Sequence, residues 1–190
     1  MNQLPNFTLT AQSAISRFLN SKEVTDFHSA IHYLQQLPAT QECASNDLLQ
    51  VAKEGGSRCS KTALLVALAK ENFYPDIKLS LCTFTESYED NTQIQHLLKK
   101  HQLPALPSTA CFLKYHDAFY SPLGDMQIES SAIQSDIEIT PMQIGSFTRR
   151  YRHHFIKHWL ILEKLHRNWT VDKIREIRQQ CRQILNNQAQ

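Results

Sequence analysis

The stretch Gly55 to Ala69, GGSRCSKTALLVALA, constrains this chain more than any other. Two adjacent glycines, out of only four in 190 residues, stop whatever precedes them. Ala63, Leu64, Ala67 and Leu68 then recur at helical spacing, which predicts a helix over 60–72 with Cys59 at its mouth. The same letters come close to a phosphate loop, which needs Gly, four residues, then Gly-Lys-Ser/Thr. Here Ser60 stands where the second glycine belongs, and that glycine lets bare backbone approach phosphate. The residues ahead of Gly55, NDLLQVAKE, read as helix, whereas such a loop hangs from a buried strand. Nucleotide binding fails on both counts, and the stretch is built around Cys59. A helix N-terminus carries partial positive charge and unpaired N–H groups, a setting that lowers a thiol's pKa and makes it a nucleophile. Arg58 and Lys61 are expected to push the same way. The competing reading is a structural cysteine buried in the core.

The rest of the chain reads as helices, then strands, then helices, an α+β order. Residues 10–20, 22–37 and 46–53 are predicted helices. Phe27, Ile31 and Leu34 set the apolar face of the second, and Pro38 follows its end. DIKLSLCTFT (76–85) alternates like a strand, and ACFLKYHDAFYS (110–121) reads as a hairpin turning at His116-Asp117. A helix over 91–101 lies between them, and LLKKHQLPALP (97–107) leads into the hairpin with prolines that favour extended backbone. A long helix is predicted over 142–167, broken near Gly145. The last helix starts at an N-cap, Thr170, with Trp169 and Ile174 as a hydrophobic staple. Val171, Ile174, Ile177, Cys181 and Ile184 line its inner face.

The five cysteines (43, 59, 82, 111 and 181) are odd in number and show no CxxC or Cys/His spacing, which argues against a zinc finger or a disulfide framework. Reduced thiols in a cytoplasm fit best. No basic start followed by an apolar block marks a signal peptide, and no apolar run reaches the ~18 residues of a membrane helix.

Net charge is +2, unevenly spread: residues 141–190 hold ten Lys/Arg against three Asp/Glu, and 1–140 hold ten against fifteen. RRYRHHFIKHWLILEKLHR (149–167) therefore raises nucleic-acid binding, with Arg149, Arg150, Arg152 and Lys157 on phosphates. The competing assignment makes Tyr151, Phe155, Trp159 and Leu162 a core stripe with solvated charges around it, and is the one preferred. His28/His32 and His154/His158 are four apart on helices, as zinc ligands can be, but no third ligand is evident.

The chain resembles the transglutaminase-like superfamily, in particular a group of small bacterial proteins with that core. Gly56-Ser57-Arg58-Cys59-Ser60-Lys61-Thr62-Ala63-Leu64-Leu65 is similar to the group's Gly-Thr-Cys-Ser-Thr-Lys-His-Ala-Leu-Leu. Phe27-His28-Ser29-Ala30-Ile31-His32-Tyr33, running on to Leu37-Pro38, is similar to its upstream motif. KENFYPDIKLSLCTF, DIEITPMQIGSF and IREIRQQCRQIL resemble its later segments. The resemblance implies one domain over 1–190, with a Cys-bearing helix packed on an antiparallel sheet and helices at both termini. It also implies a papain-like Cys-His-Asp triad, in which His activates the thiol and Asp orients the His. Here Cys59 keeps the nucleophile position, Ala110 stands where the His should open its strand, and Ser121 stands where the Asp should be. Ala39-Thr40-Gln41 replaces the group's Tyr-Gly-Arg.

The expectation is a catalytically impaired pseudoenzyme or binding module for an unidentified protein or peptide, without cofactor or metal. The alternatives are a cysteine peptidase, amidase or acyltransferase with a relocated base, and a nucleic-acid binder. His116 is a poor substitute base, because six residues of strand separate it from Ala110 by roughly 20 Å.

Overall fold

The computed structural model describes residues 4–40, 47–123 and 130–188; Gln41, Cys43 and Asn46 lie outside them. Most helices open on a side chain that accepts from its own first turn. Ser13 accepts from the Ser16 amide and starts α1 (Ala14–Asn20). Asp26 accepts from Ser29 and starts α2 (Phe27–Gln36). Asp47 starts α3 (Leu48–Glu54), and Ser57 starts α4 (Arg58–Glu71). These caps correct two boundaries. The chain before Ser13 is not helical over 10–12, because residues 7–9 run extended against 25–27: the Leu9 amide donates to Thr25, and that of Phe27 to Phe7. The second helix begins at 27 rather than 22, because Glu23 takes a left-handed φ of 64° and Asp26 caps the helix at Phe27.

A four-stranded antiparallel sheet completes the α+β class, in the order β3-β2-β1-β4, with β1 Ile77–Glu86, β2 Leu106–Tyr115, β3 Ala118–Tyr120 and β4 Ser135–Ile139. The hairpin turns where the sequence predicts it, since Tyr115 pairs with Ala118 and leaves His116-Asp117 at the tip. β4 is an addition to the predicted elements. Its five residues alternate Asp136 and Glu138 with Ile137 and Ile139, too short a run to stand out. Ion pairs tie it into the sheet: Glu138 to Lys78 at 2.9 Å, and Asp136 to Lys114 at 2.8 Å. The Ser80 hydroxyl also donates to Asp136, at 3.1 Å. The Lys114 hydrogen bond, with help from Ser80, holds the Asp136 carboxyl below its ordinary pKa.

The chain forms two compact units, 1–82 with 110–148, and 83–109 with 149–190, so the boundaries fall inside β1 and β2. The first contains α1 to α4. Phe27 is fully buried and stacks on Phe7, which stacks on Tyr74 in turn. The second unit is built on α5 (Thr92–Lys100), α6 (Ser146–Leu162, entering it at Arg149) and α7 (Val171–Gln188). Ile174, Ile177 and Cys181 of α7 are buried with Ile94 and Leu98 of α5 and Ile156, Trp159 and Leu160 of α6, and Val171 and Ile184 pack at the margin. The α7 face is the predicted one, and Thr170 caps the helix through the Lys173 amide at 3.3 Å. The α6 stripe is not. Leu162 is 65% exposed, and Tyr151 and Phe155 are half-buried. The buried residues 156, 159 and 160 follow the i, i+3, i+4 spacing of a helix face. The helix is also shorter than predicted, because Gly145 at φ 99° precedes it and Lys164 at φ 59° comes after it. Among the described residues, no helix is long and apolar enough to cross a membrane.

Asn72, buried at the end of α4, holds the N-terminal segment in place. Its Oδ1 accepts from the Thr10 and Ala11 amides at 2.8 and 3.0 Å, and its Nδ2 donates to Leu68 O at 2.8 Å. Asn72→Ala strands two backbone donors and is expected to cost about 2–3 kcal/mol. In thermal unfolding this is a fall of roughly 5–10 °C. Asn72→Asp keeps the acceptor and should lose clearly less.

Candidate active site around Cys59

Gly55 makes the entry to α4 possible. Its amide donates to Val51 O at 3.0 Å and closes α3, while its φ of 88° belongs to the region that favours glycine. A Cβ there would stand 2.3 Å from the Pro38 carbonyl oxygen. The chain after α2 runs alongside: the Gly56 amide donates to Pro38 O at 3.1 Å and the Thr40 amide to Gly56 O at 3.2 Å, with Ala39 and Gly56 bridged in parallel. Ala39 and Thr40 thus lie beside Gly56; Gln41 lies outside the described residues. No phosphate cradle exists here. The element ahead of Gly55 is a helix, and both glycine amides are already bonded to carbonyls.

Ser57 caps α4, its Oγ accepting from the Ser60 amide at 3.1 Å and lying 2.9 Å from the Ser60 hydroxyl. Cys59 is therefore the second residue of the helix, half-buried, at the end where the helix dipole is positive. Cys59, Cys82, Cys111 and Cys181 are thiols with no disulfide among them. Beyond Cys59 the helix is buried almost all round, from Ser60 to Val66 and at Leu68 and Ala69. It lies against α2, α3 and the 3-10 turn Pro141–Gln143.

Lys61 departs from expectation. It is 4% exposed, and its ammonium donates to Leu34 O at 2.9 Å and Leu37 O at 2.6 Å. Those carbonyls end α2 and would otherwise lack donors. Burial pulls the Lys61 pKa below the usual lysine value. Its role is thus to bind the end of α2 to the first turn of α4, with its charge committed to those carbonyls; Arg58 remains exposed. The sequence did carry a signal for this, since Lys61 is the one charged residue between Cys59 and Ala69. Lys61→Met is expected to lower stability by about 1–2 kcal/mol, the two lost hydrogen bonds outweighing the relief of burying a charge. Native alkylation of Cys59 should stay within about twofold of the parent protein, whereas a larger drop would return Lys61 to the role of thiol activator.

Ala110 lies on β2, and Ser121 follows β3 by one residue. Leu113 pairs with Tyr120 and Lys114 with Phe119. Continuing that register one step sets Ser121 opposite Phe112, on the face that Phe112 shares with Ala110 by strand alternation. Ring contacts agree, with Phe112 edge-on to Phe119 at 6.3 Å and the Lys114 ammonium 5.0 Å above Phe119. By this extended register Ala110 and Ser121 lie diagonally on one face, and both are half-buried. The Gln35 side chain of α2 donates to Pro122 O at 2.6 Å, next to Ser121. The C-terminal end of α2 therefore touches both the segment after β3, through Gln35, and the first turns of α4, through Lys61.

Histidines do not fill the gap in any described contact. His116 sits at the hairpin tip with φ 52°, its ring tilted 46° against that of Tyr115 at 4.1 Å. The Nε2 of His28 lies 3.0 Å from Leu4 O, and His32 is exposed. His101 packs edge-on against Trp169 at 5.7 Å in the second unit. Among the described residues no group of three His, Cys, Asp or Glu side chains is arranged to hold a metal ion. Comparison with protein-family models, with curated proteins and with solved structures returns no match to this chain.

Proposed function

We propose that this chain is a transglutaminase-like protein that keeps the nucleophile, Cys59, and has lost the base and orienting acid at Ala110 and Ser121, leaving a catalytically impaired module that binds a protein or peptide. The observation that carries this reading is Cys59 at the capped, dipole-positive start of a buried helix, with a methyl and a hydroxyl where a proton acceptor and a carboxylate are needed. The shared face of Ala110 and Ser121 supports pairing the two positions. The packing of the Cys-bearing helix on the sheet belongs to the same proposal. A thiolate can attack a carboxamide unaided, but alanine cannot pass a proton to the leaving amine. General acid–base catalysis is worth roughly 10²- to 10⁴-fold, so turnover should be negligible.

An assay of ammonia release and amine incorporation with glutamine-containing and other amide peptides tests this. Wild type is expected to match Cys59→Ser. Turnover in wild type that Cys59→Ser abolishes would establish instead a cysteine amidase or acyltransferase with its base supplied from elsewhere.

A further inference from the structure

The outer face of α6 gathers basic side chains along its length. Over its 17 residues the helix has no acidic side chain. Arg149, Arg150, His153, His154, Lys157 and His158 are all exposed, and their spacing of i, i+1, i+4, i+5, i+8 and i+9 sets them on one side. None of the three ion pairs among the described residues involves any of them. At the edge of this face, the Arg175 guanidinium of α7 lies 3.3 Å from His153 Nδ1, but its charge is paired with Asp172 at 3.1 Å, so among the described residues the face's unpaired fixed cations are Arg149, Arg150 and Lys157.

We propose that this face binds the phosphate backbone of duplex DNA, independently of sequence. Charge complementarity names the partner: the cations from Arg149 to Lys157 extend about 12 Å along the helix at ~1.5 Å per residue, against a duplex carrying one negative charge per ~1.7 Å. Single strands are disfavoured, because binding them needs aromatic platforms for bases. The α6 aromatics lie off this face, Trp159 buried and Tyr151 and Phe155 half-buried. A lipid surface is disfavoured too. An interfacial helix sinks an apolar face into the bilayer, and here Ile156, Trp159 and Leu160 are committed to the core. The exposed large apolar residues of α6 are Ile161 and Leu162, in its last turn. A helix of ~10–12 Å diameter matches the ~12 Å major groove of B-DNA better than the narrow major groove of A-form RNA.

The test is fluorescence anisotropy of the full chain with a labelled random-sequence DNA duplex, alongside the matching single strand, an RNA duplex and phosphatidylserine vesicles. About three neutralised phosphates predict binding that weakens roughly 40-fold between about 50 and 200 mM salt. R149E/R150E/K157E should abolish it, while K22E/K53E/K70E, an equal change of charge at exposed lysines of the first unit, should retain most of it. If the triple variant proves unfolded by circular dichroism, Arg150→Gln with Lys157→Gln should still weaken binding about tenfold. The proposal is overturned by no binding at low salt, by variants that bind like wild type, by an equal loss in the control, or by tighter binding to the single strand, RNA or vesicles.

Discussion

The double variant A110H/S121D is expected to alkylate at Cys59 about 10- to 50-fold faster than wild type at pH 5. An unassisted thiol, with a pKa near 8.5, has well under 0.1% thiolate there. A thiol paired with an imidazolium ionises at ~3.5–7.5, and at about 5.5–6.5, within that range, its thiolate fraction at pH 5 is two to three orders of magnitude higher. Part of that gain is returned, since nucleophilicity falls with pKa at a Brønsted slope of ~0.4–0.5. The two substitutions should act as a unit. Ala110→His alone supplies an imidazole with nothing to orient it and gives part of the effect, and Ser121→Asp alone gives none. Unchanged Cys59 reactivity in a folded double variant would mean that these are not the triad positions.

Gly55→Ala should be the most destabilising of the single changes discussed. The left-handed φ of 88° costs an L-residue about 1–3 kcal/mol. The new methyl also meets backbone, the Pro38 carbonyl oxygen at 2.3 Å, which cannot turn aside as a flexible side chain would. Relief requires the parallel pairing of 38–40 with Gly56 to open, and that pairing joins the end of α2 to the entry of α4. A total near 4 kcal/mol is expected, a drop of roughly 8–16 °C in thermal unfolding. Gly56→Ala is the control. Its Cβ would meet nothing closer than 3.5 Å, so the loss should be small. Equal losses at the two positions would contradict the close approach at Gly55.

Much of this fold was legible because local chemistry and tertiary packing agree. Thr170 and the spacing of Ile174, Ile177 and Cys181 fix α7 without reference to the remainder of the chain. The Gly55-Gly56 pair and the apolar run after Cys59 likewise fix the end of α3 and the start of α4. The failures are places where a distant segment decides. Residues 10–12 carry no helix breaker, and they stay extended because Asn72, some sixty positions away, takes the Thr10 and Ala11 amides. β4 is recognisable only through its partner strand. On α6, several apolar and aromatic residues could each begin a plausible stripe, and the α5–α7 cluster selects Ile156, Trp159 and Leu160. At the site, the position of Cys59 in its helix was readable. The direction of the Lys61 side chain was not, because it depends on where α2 ends in space.

The most direct measurement is the pH dependence of alkylation of Cys59 in the native protein, thiol by thiol. Cys82 and Cys181 are internal controls, buried thiols that burial pushes up to about 11. The account predicts that Cys59 reacts in the folded state well ahead of both. Its rate should rise through a single ionisation above pH 7, with no reactive plateau at acid pH. A plateau extending below pH 6 would reveal a thiolate held by an imidazolium, contradicting the loss of the base. A Cys59 that reacts only on unfolding would contradict the retained nucleophile.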